Sequence, residues 1–203
     1  MAVIARRIVV PIAGKSELAL ERARRGAAIF TKAGAAVRVT KVIMGADTGN
    51  IEIFAKYPDF SAGTKSFITA SKDADAIELA KEREGNPSGE LFGPYVYRTV
   101  FGEITAQPVL VQRMYQISRQ YLKDALALLP EARAAFDDSV GMSAVVPVFD
   151  PQMDRLIISY YANSIEHLGT VLDTQAMSAA FQTVATKASK FGNLTSARVL
   201  TVV

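Results

Sequence analysis

The chain has 203 residues, half of them apolar, with no cysteine, no tryptophan and a single histidine. Without cysteine there is no disulfide framework, thiol nucleophile or thiolate metal site, and one histidine excludes any site that needs two imidazoles, so we expect no metal centre. The charge balance, 23 Lys and Arg against 20 Asp and Glu, gives a formal net charge of +3. A nucleic-acid-binding surface normally shows a denser basic stripe with interleaved aromatic residues, so we expect no nucleic-acid partner.

No apolar run approaches the roughly 18 residues that a membrane-spanning helix requires, so we expect no membrane association. The first charged residues, Arg6 and Arg7, follow the first apolar residues. A secretory signal places its charges before a longer apolar stretch, so we expect no such signal and a cytoplasmic location.

Four strands and two helices are predicted in the first half of the chain. The strands cover 4–12, 36–44, 51–57 and 95–101, which are rich in Ile, Val and aromatic residues. The helices cover 16–34, with Ser16 at the N-cap, and 61–84, where apolar residues recur at helical spacing. The order is βαββαβ. The Gly- and Pro-rich segment 85–94 is predicted to be a loop, which could be a lid, an ordinary insertion or a dimer contact.

The second half repeats this order. Strands are predicted over 109–117, 143–149, 156–162 and 195–202. The first helix follows Ser118 as its N-cap, is kinked or interrupted by Pro130 and ends near Gly141. The second helix covers 164–191. We therefore predict two repeats, residues 1–105 and 106–203, which together form one barrel.

Identical or similar residues and dipeptides recur at an offset of about 106 residues and support the repeat. The pairs are Gly63-Thr64 with Gly169-Thr170, Gly85-Asn86 with Gly192-Asn193, Gly34 with Gly141, and Phe54 with Tyr160. One βαββαβ unit is a four-stranded antiparallel sheet with both helices on one face and an apolar face left bare. Two units in one chain can bury both bare faces by closing into a barrel with the helices outside.

The segment Tyr161-Ala-Asn-Ser-Ile-Glu-His167, where the third strand of the second repeat meets its helix, resembles a junction common in the dimeric α/β-barrel superfamily. Lys56-Tyr57-Pro-Asp-Phe60 is a looser version in the first repeat. The resemblance covers nearly the whole chain. Within the superfamily, the chain resembles antibiotic-biosynthesis-monooxygenase-like and NIPSNAP-like members. This resemblance implies an α+β fold of two ferredoxin-like repeats packed sheet to sheet as a pseudo-twofold barrel.

This architecture and the polar strand residues together indicate a small-molecule-binding barrel. Such a barrel could be a cofactor-independent oxygenase, cyclase or isomerase that acts on a small acidic or aromatic compound. Whether the chain is an enzyme, and whether it is a monomer or a homodimer, stays open. The alternative is a structural or interaction protein whose barrel is filled by side chains.

Polar strand residues form the candidate ligand site. Arg7 aligns with Arg113 in the first strand of each repeat, and Arg98 aligns with Arg198 in the fourth. If they face the barrel interior, they make a cationic pocket that holds a carboxylate or phosphate by bidentate pairing. Further candidates for the interior are Glu52 and Lys56, which share one face of the third strand with Phe54, and the aromatic residues Tyr115 and Tyr160. Alternatively, the arginines pair with Glu52 or lie in solvent at the strand ends.

His167 is the single imidazole and is a candidate general base or haem ligand. Some haem-degrading proteins of the superfamily carry a histidine on the second helix, so the resemblance leaves haem binding as a further alternative. The alternative interpretation is that His167 is a partly exposed histidine at a helix end with no functional role. We predict no resident cofactor.

Overall fold

Eight antiparallel strands form one closed barrel in the computed structural model, which describes residues 2–203. The order around the barrel is β1-β3-β2-β8-β5-β7-β6-β4. The strands are β1 (Val3–Pro11), β2 (Ala36–Gly45), β3 (Ile51–Tyr57), β4 (Gly89–Gly102), β5 (Val109–Ile117), β6 (Gly141–Phe149), β7 (Arg155–Ala162) and β8 (Gly192–Val202).

Each half of the chain supplies four neighbouring strands in the same order, with its fourth strand beside its first, then its third and its second. Two seams join the halves. At one seam β2 pairs with β8, from Thr40 opposite Val202 to Gly45 opposite Arg198. At the other seam β4 pairs with β6, and the chain has the predicted fold of two ferredoxin-like repeats closed into a barrel.

A glycine with positive φ lies at each seam, namely Gly45 with φ 82° and Gly102 with φ 62°. A Cβ atom at Gly45 would collide with the carbonyl oxygen of Ala197, and one at Gly102 would collide with that of Met142. Glycine is needed at both positions because it adopts this backbone conformation without strain and lets the facing strand approach closely.

Within residues 2–203, seven α-helices lie outside the barrel. They are α1 (Ser16–Lys32), α2 (Phe60–Ser71), α3 (Ala74–Gly85), α4 (Leu122–Ala127), α5 (Leu129–Ala134), α6 (Ile165–Asp173) and α7 (Ala179–Ala188). The predicted long helices over 61–84 and 164–191 are each two helices, because Asp73 and Ser178 start a new helix by capping it. Pro130 stands in the first turn of α5, so the predicted interruption falls just before it.

Two predicted N-caps are corrected by the structure. Helix α1 begins at Ser16 itself, and Lys15 occupies the N-cap without a side-chain cap hydrogen bond. Ser118 precedes a short 3-10 turn, Arg119–Tyr121, and also makes no cap hydrogen bond. The side chains of Asp59 and Ser164 do cap their helices, because each follows a strand end in extended conformation.

The predicted loop over 85–94 is also corrected. From Gly89 onward it is the beginning of β4, which pairs with the end of β1 as Gly89 opposite Pro11 and Phe92 opposite Ile8. The segment contains residues that usually end a strand, but β1 offers an unpaired edge that satisfies its backbone groups. Pairing with β1 holds most of this segment in the sheet, so it disfavours a mobile lid at this position.

The apolar core lies mainly between the outer face of the barrel and the helices. In the second repeat one large cluster joins β5, β6 and β7 to the helices, with Phe136, Phe181 and Tyr160 at its centre. The first repeat has smaller clusters under α1 and α2. Within residues 2–203, no helix is both long and apolar enough to cross a membrane.

Candidate functional site

Four polar side chains meet in the middle of the barrel interior and form what we call the buried quartet: Arg6, Glu52, Gln112 and Arg198. Arg6 donates to both Glu52 carboxylate oxygens at 2.8 and 2.6 Å. Arg198 donates to the same oxygens at 2.7 and 3.0 Å. Gln112 accepts a hydrogen bond of 2.7 Å from Arg198. The carboxylate on β3 is therefore held by two guanidinium groups, one from β1 of the first repeat and one from β8 of the second.

The quartet is charged although it is excluded from water, with Glu52 0% and Arg198 2% exposed. Burial disfavours the charged form of Arg6, but the adjacent Glu52 carboxylate outweighs this and raises the Arg6 pKa. Burial lowers the pKa of Arg198, and Glu52 offsets part of that effect. Asp47, at 3.2 Å from Arg198, supplies the second negative charge. The quartet with Asp47 thus balances two cations against two carboxylates.

A cavity of about 260 Å³ opens on one side of the quartet, and we call it the mouth cavity. It lies where β1, β2 and β5 begin, and the connection between the repeats, 103–108, passes over it. Its lining residues are Ile4, Arg6, Ala36, Val37, Arg38, Phe54, Lys56, Tyr97, Ile104, Thr105, Ala106, Leu110, Gln112, Ser143, Val145, Ile157, Ser159 and Tyr161. The barrel is therefore filled at its middle and open at this end.

Cations without carboxylate partners line the mouth cavity. The Arg38 guanidinium donates to the backbone carbonyls of Thr105 and Gln107, which ties β2 to the connection between the repeats. Lys56 is exposed at the rim and makes no ion pair with the residues that the structure describes. Since no Asp or Glu in the described part of the chain belongs to the lining, the unpaired cations give the cavity a positive potential that favours an anion.

Aromatic rings and hydroxyl groups form the rest of the wall. Tyr161 and Ser143 share a hydrogen bond of 2.8 Å between their hydroxyl groups. Burial raises the pKa of Tyr161, so its phenol stays protonated and can donate or accept a hydrogen bond. Phe54 and Ile157 add apolar surface. A flat apolar body with one acidic group would meet complementary partners here.

The opposite end of the barrel holds a second cavity of about 300 Å³, the far cavity, beneath the β2–β3 and β6–β7 turns. It is lined by carboxylates as well as cations, since Asp47, Asp150 and Arg155 all face it. Tyr97 crosses between the cavities, because its ring lines the mouth cavity and its hydroxyl donates to Asp150. The two ends of the barrel thus differ in charge.

Two residues of the sequence-derived set, Glu52 and Arg198, lie in the interior and contact one another. The alternative that an arginine pairs with Glu52 therefore holds for Arg198. The other partner of Glu52 is Arg6 and not the expected Arg7. Neighbouring strand residues point to opposite faces, so this difference of one position separates the barrel interior from the helix layer.

The other three arginines face outward, which corrects their expected place in the interior. Arg7 stacks on Phe30 of α1 at 4.3 Å, and Arg98 stacks on Phe60 of α2 at 5.1 Å. Arg113 stacks on Phe181 of α7 at 5.5 Å. Irregular register where β4 pairs with β6 and where β8 pairs with β5 breaks the simple alignment of Arg98 with Arg198.

Tyr115 and Tyr160 also point outward, contrary to the expectation that they line the interior. Both contact the helix layer of the second repeat, and Tyr160 packs on Phe136 with ring centroids 5.1 Å apart. The Phe54–Tyr160 match therefore places an inner residue against an outer one. Tyr161, one position further, is the residue that lines the mouth cavity.

His167 lies on α6, outside the barrel. Its Nδ1 accepts the backbone N–H of Asn163 at 3.1 Å, and its Nε2 lies 3.0 Å from the Ser139 hydroxyl. A haem ligand needs a free ring nitrogen facing a space wide enough for a porphyrin. Both ring nitrogens are used, and no imidazole lines the mouth cavity. The residues therefore do not fit haem held through His167.

Sequence reasoning did not select Arg6, Gln112, Arg38, Tyr97 or Tyr161 as site residues. In β1 the two faces, with Ile4 and Ile8 on one and Val3 and Val9 on the other, are equally apolar, so alternation cannot tell which faces inward. The useful signal was in β3, where Glu52 and Lys56 share a face with Phe54. Antiparallel pairing puts Arg6 opposite Phe54, and directly opposite residues share a face.

Solved structures with the same architecture cover almost the whole chain. A candidate monooxygenase from Fusobacterium nucleatum superposes with a TM-score of 0.71 at 9% identity over 99% of this chain and 92% of that one. An anthrone oxidase-like protein gives 0.66 at 10% identity over 100% and 91%. A candidate chlorite dismutase gives 0.61 at 9% identity over 100% and 95%.

The chain has the dimeric α/β-barrel fold. At these identities the likeness establishes the fold and leaves the chemistry to be argued from the site. No protein-family model matches the chain. No curated protein matches it in sequence either.

Proposed function

We propose that the chain is a small-molecule-binding barrel whose mouth cavity takes a small acidic aromatic compound. The observation that carries this proposal is the pair of cations, Arg38 and Lys56, in a lining that contains no carboxylate. A carboxylate or phenolate of the ligand would pair with Lys56 and approach Arg38, while its ring would contact Phe54 and Ile157.

The size of the mouth cavity limits the ligand. Its volume of about 260 Å³ lies just below the range of about 300–1,000 Å³ that is typical of pockets for drug-sized molecules. We therefore expect a ligand with one or two rings. The alternative of a barrel filled along its whole length is disfavoured by this open end, although the buried quartet does fill the middle.

Titration calorimetry with benzoate tests the proposal. We expect heat of binding with benzoate and much weaker binding of benzyl alcohol, which has the ring without the charge. Lys56→Gln should weaken benzoate binding about fivefold, since a partly solvated ion pair contributes about 1 kcal/mol. Lys65→Gln is the matched control, because Lys65 is an exposed lysine on α2 away from the cavity.

The proposal is abandoned if benzoate and benzyl alcohol bind equally, or if Lys56→Gln and Lys65→Gln have the same effect. A structure with benzoate present gives an independent check, since density should lie between Phe54 and Lys56. Absence of binding by every small aromatic acid tried, together with a structure showing the cavity closed, would favour the non-catalytic alternative.

As the enzymatic form of this proposal we suggest oxygenation without a cofactor, supported by the architecture shared with a candidate monooxygenase and an anthrone oxidase-like protein. The lining residues that the structure describes include no carboxylate or imidazole that could accept a proton. The substrate must therefore enter as an anion, stabilised by Lys56 and Arg38. The balanced reaction converts an activated CH₂ group and O₂ into a carbonyl group and water.

Oxygen uptake with 1,3-indanedione as the probe tests the enzymatic form, because this two-ring compound has an activated CH₂ group that ionises near neutral pH. We expect consumption above the spontaneous rate, a reduced rate in Lys56→Gln and an unchanged rate in Lys65→Gln. Benzoate binding without oxygen uptake by 1,3-indanedione or another ionised compound with an activated CH₂ group would retain the binding proposal and overturn the oxygenase.

A further inference from the structure

A second open space lies outside the barrel, between α2 and the outer faces of β1 and β4. We call it the outer groove, and its volume is about 430 Å³. The walls are largely apolar, and the side chains that matter here are Arg7, Phe30, Phe60, Phe67, Val96 and Phe149. It does not share a lining residue with the mouth cavity. The outer groove is thus a separate site in the same chain.

Two phenylalanines at the outer groove are in contact with solvent. Phe67 on α2 is 50% exposed, and Phe149 at the end of β6 is 66% exposed. Large apolar side chains on a surface are ordinary when they are isolated. These two face one cavity together, so they present apolar surface that a bound hydrocarbon would remove from water.

Among residues 2–203, Arg7 contributes the only charged side chain of the groove lining. Its guanidinium carbon lies 4.3 Å from the Phe30 ring centroid. Within residues 2–203 it makes no ion pair and no side-chain hydrogen bond, and no carboxylate lines the groove. Burial lowers the pKa of Arg7, Tyr57 opposes this and Arg83 adds to it. An anion in the groove would complement this unpaired, half-buried charge.

The second repeat shows that this space is not dictated by the fold. Arg113, which corresponds to Arg7, stacks on Phe181, but the space beside it is only about 20 Å³. Phe136, Leu168 and Val171 fill the rest. The same arginine position is therefore packed shut in one repeat and open in the other.

We propose that the outer groove binds a small linear aliphatic carboxylate, with its carboxylate on Arg7 and its hydrocarbon chain against Phe67 and Phe149. Charge complementarity selects an anion, and the apolar walls select a hydrocarbon tail. The site is independent of the mouth cavity, so it stands or fails separately from the proposed function.

The absence of tryptophan from the chain makes a direct test possible. Phe67→Trp places the single indole of the protein at the edge of the outer groove and changes an already exposed side chain. Titration of this variant with decanoate should shift the indole emission in a saturable way. Decanol, which has the same chain without the charge, should bind at least fivefold more weakly.

Charge and space are tested separately in the Phe67→Trp background. Arg7→Gln should weaken decanoate binding at least fivefold, Arg7→Lys should retain most of the affinity, and Arg113→Gln should leave it unchanged. Thr64→Phe narrows the groove from an exposed position on α2 and should abolish binding. Circular dichroism verifies that each variant is folded.

Several results would overturn the proposal. They are no saturable emission change with decanoate, equal affinity for decanol, or equal losses in Arg7→Gln and Arg113→Gln. An emission that changes with protein concentration and is insensitive to decanoate would show that a second copy of the chain covers the groove instead.

Discussion

The two repeats share one topology but differ in what they place inside and outside the barrel. The first repeat supplies the cations that line the mouth cavity, Arg6, Arg38 and Lys56, whereas the second repeat supplies hydroxyl, amide and apolar groups there. Outside, the second repeat has a continuous aromatic core and the first has an open groove. At the mouth cavity, a repeated backbone thus carries cations on one side and neutral groups on the other, which makes the site polarised.

The largest expected effect of a single substitution is at the buried quartet, where the repeats meet. Glu52→Gln leaves Arg6 and Arg198 buried without their shared carboxylate, so we expect a loss of about 3–5 kcal/mol in the free energy of unfolding. Urea denaturation measures it. Glu131→Gln is the control, because its pair with Lys187 at 2.6 Å is exposed and contributes at most about 1 kcal/mol. Similar losses in both variants would show that the quartet does not join the repeats energetically.

The outer layers provide a direct comparison of packing. Phe181→Ala removes a ring that is 5% exposed and contacts Phe136 and Tyr160, and we expect it to cost about 3–5 kcal/mol. Phe30→Ala removes the half-buried ring beneath Arg7, next to the open groove, and should cost less than half as much. Thermal unfolding of both variants gives the comparison. Equal losses would contradict the difference in packing between the repeats.

Alkaline pH should destabilise both repeats through buried tyrosines. Burial raises the pKa of Tyr97 in the first repeat and of Tyr160 in the second, with further contributions from Asp150 and Tyr115. In the unfolded chain tyrosine has a pKa of about 10. The folded state keeps these protons when the unfolded state has lost them, so stability is complete below pH of about 10 and falls above it.

Each such tyrosine should add up to about 1.4 kcal/mol per pH unit to this loss. Denaturation at a series of alkaline pH values measures the slope. Tyr97→Phe and Tyr160→Phe should each make the slope shallower. An unchanged slope in either variant would mean that its phenol is not protected in the folded state.

The smallest effect is expected at His167. His167→Ala removes the hydrogen bonds to Ser139 and to the Asn163 N–H, and should cost about 0.5–1.5 kcal/mol. Because His167 lies outside the barrel with both ring nitrogens engaged, haemin added to the protein should show the same Soret spectrum with the wild type and with His167→Ala. A Soret shift that is lost in the variant would restore the haem-ligand hypothesis.

Much of the fold could be predicted from the sequence, because hydrophobic period and turn residues act locally. All eight strands and the order of the elements were predicted from strand-forming and helical patterns, and the βαββαβ repeat indicated closure into a barrel. The predicted element boundaries are wrong where a neighbouring strand or a capping side chain satisfies backbone hydrogen-bonding groups. Gly89 to Pro94 has loop-forming residues but pairs with β1, and Asp73 and Ser178 divide helices that the apolar pattern alone makes continuous.

The candidate site was predicted only in part, for a different reason. Glu52 and Arg198 were placed inside correctly, but Arg7 was chosen where Arg6 is the interior residue. A strand buried on both faces carries no alternation that marks the inner one. Register irregularities in β4 and β8 shift the faces further, so Arg98 points outward and Arg198 inward.

The sequence by itself excluded cysteine chemistry and two-histidine sites, and it determined the number and order of the strands. Tertiary structure decided which side chains face the interior, because closing the barrel fixes register and every one-residue shift exchanges the two faces. It also decided that the charged side chains of the buried quartet fill the middle of the barrel, while a cavity opens at each end. Such an arrangement joins Arg6, Glu52 and Arg198, which are distant in sequence, and no local pattern encodes it.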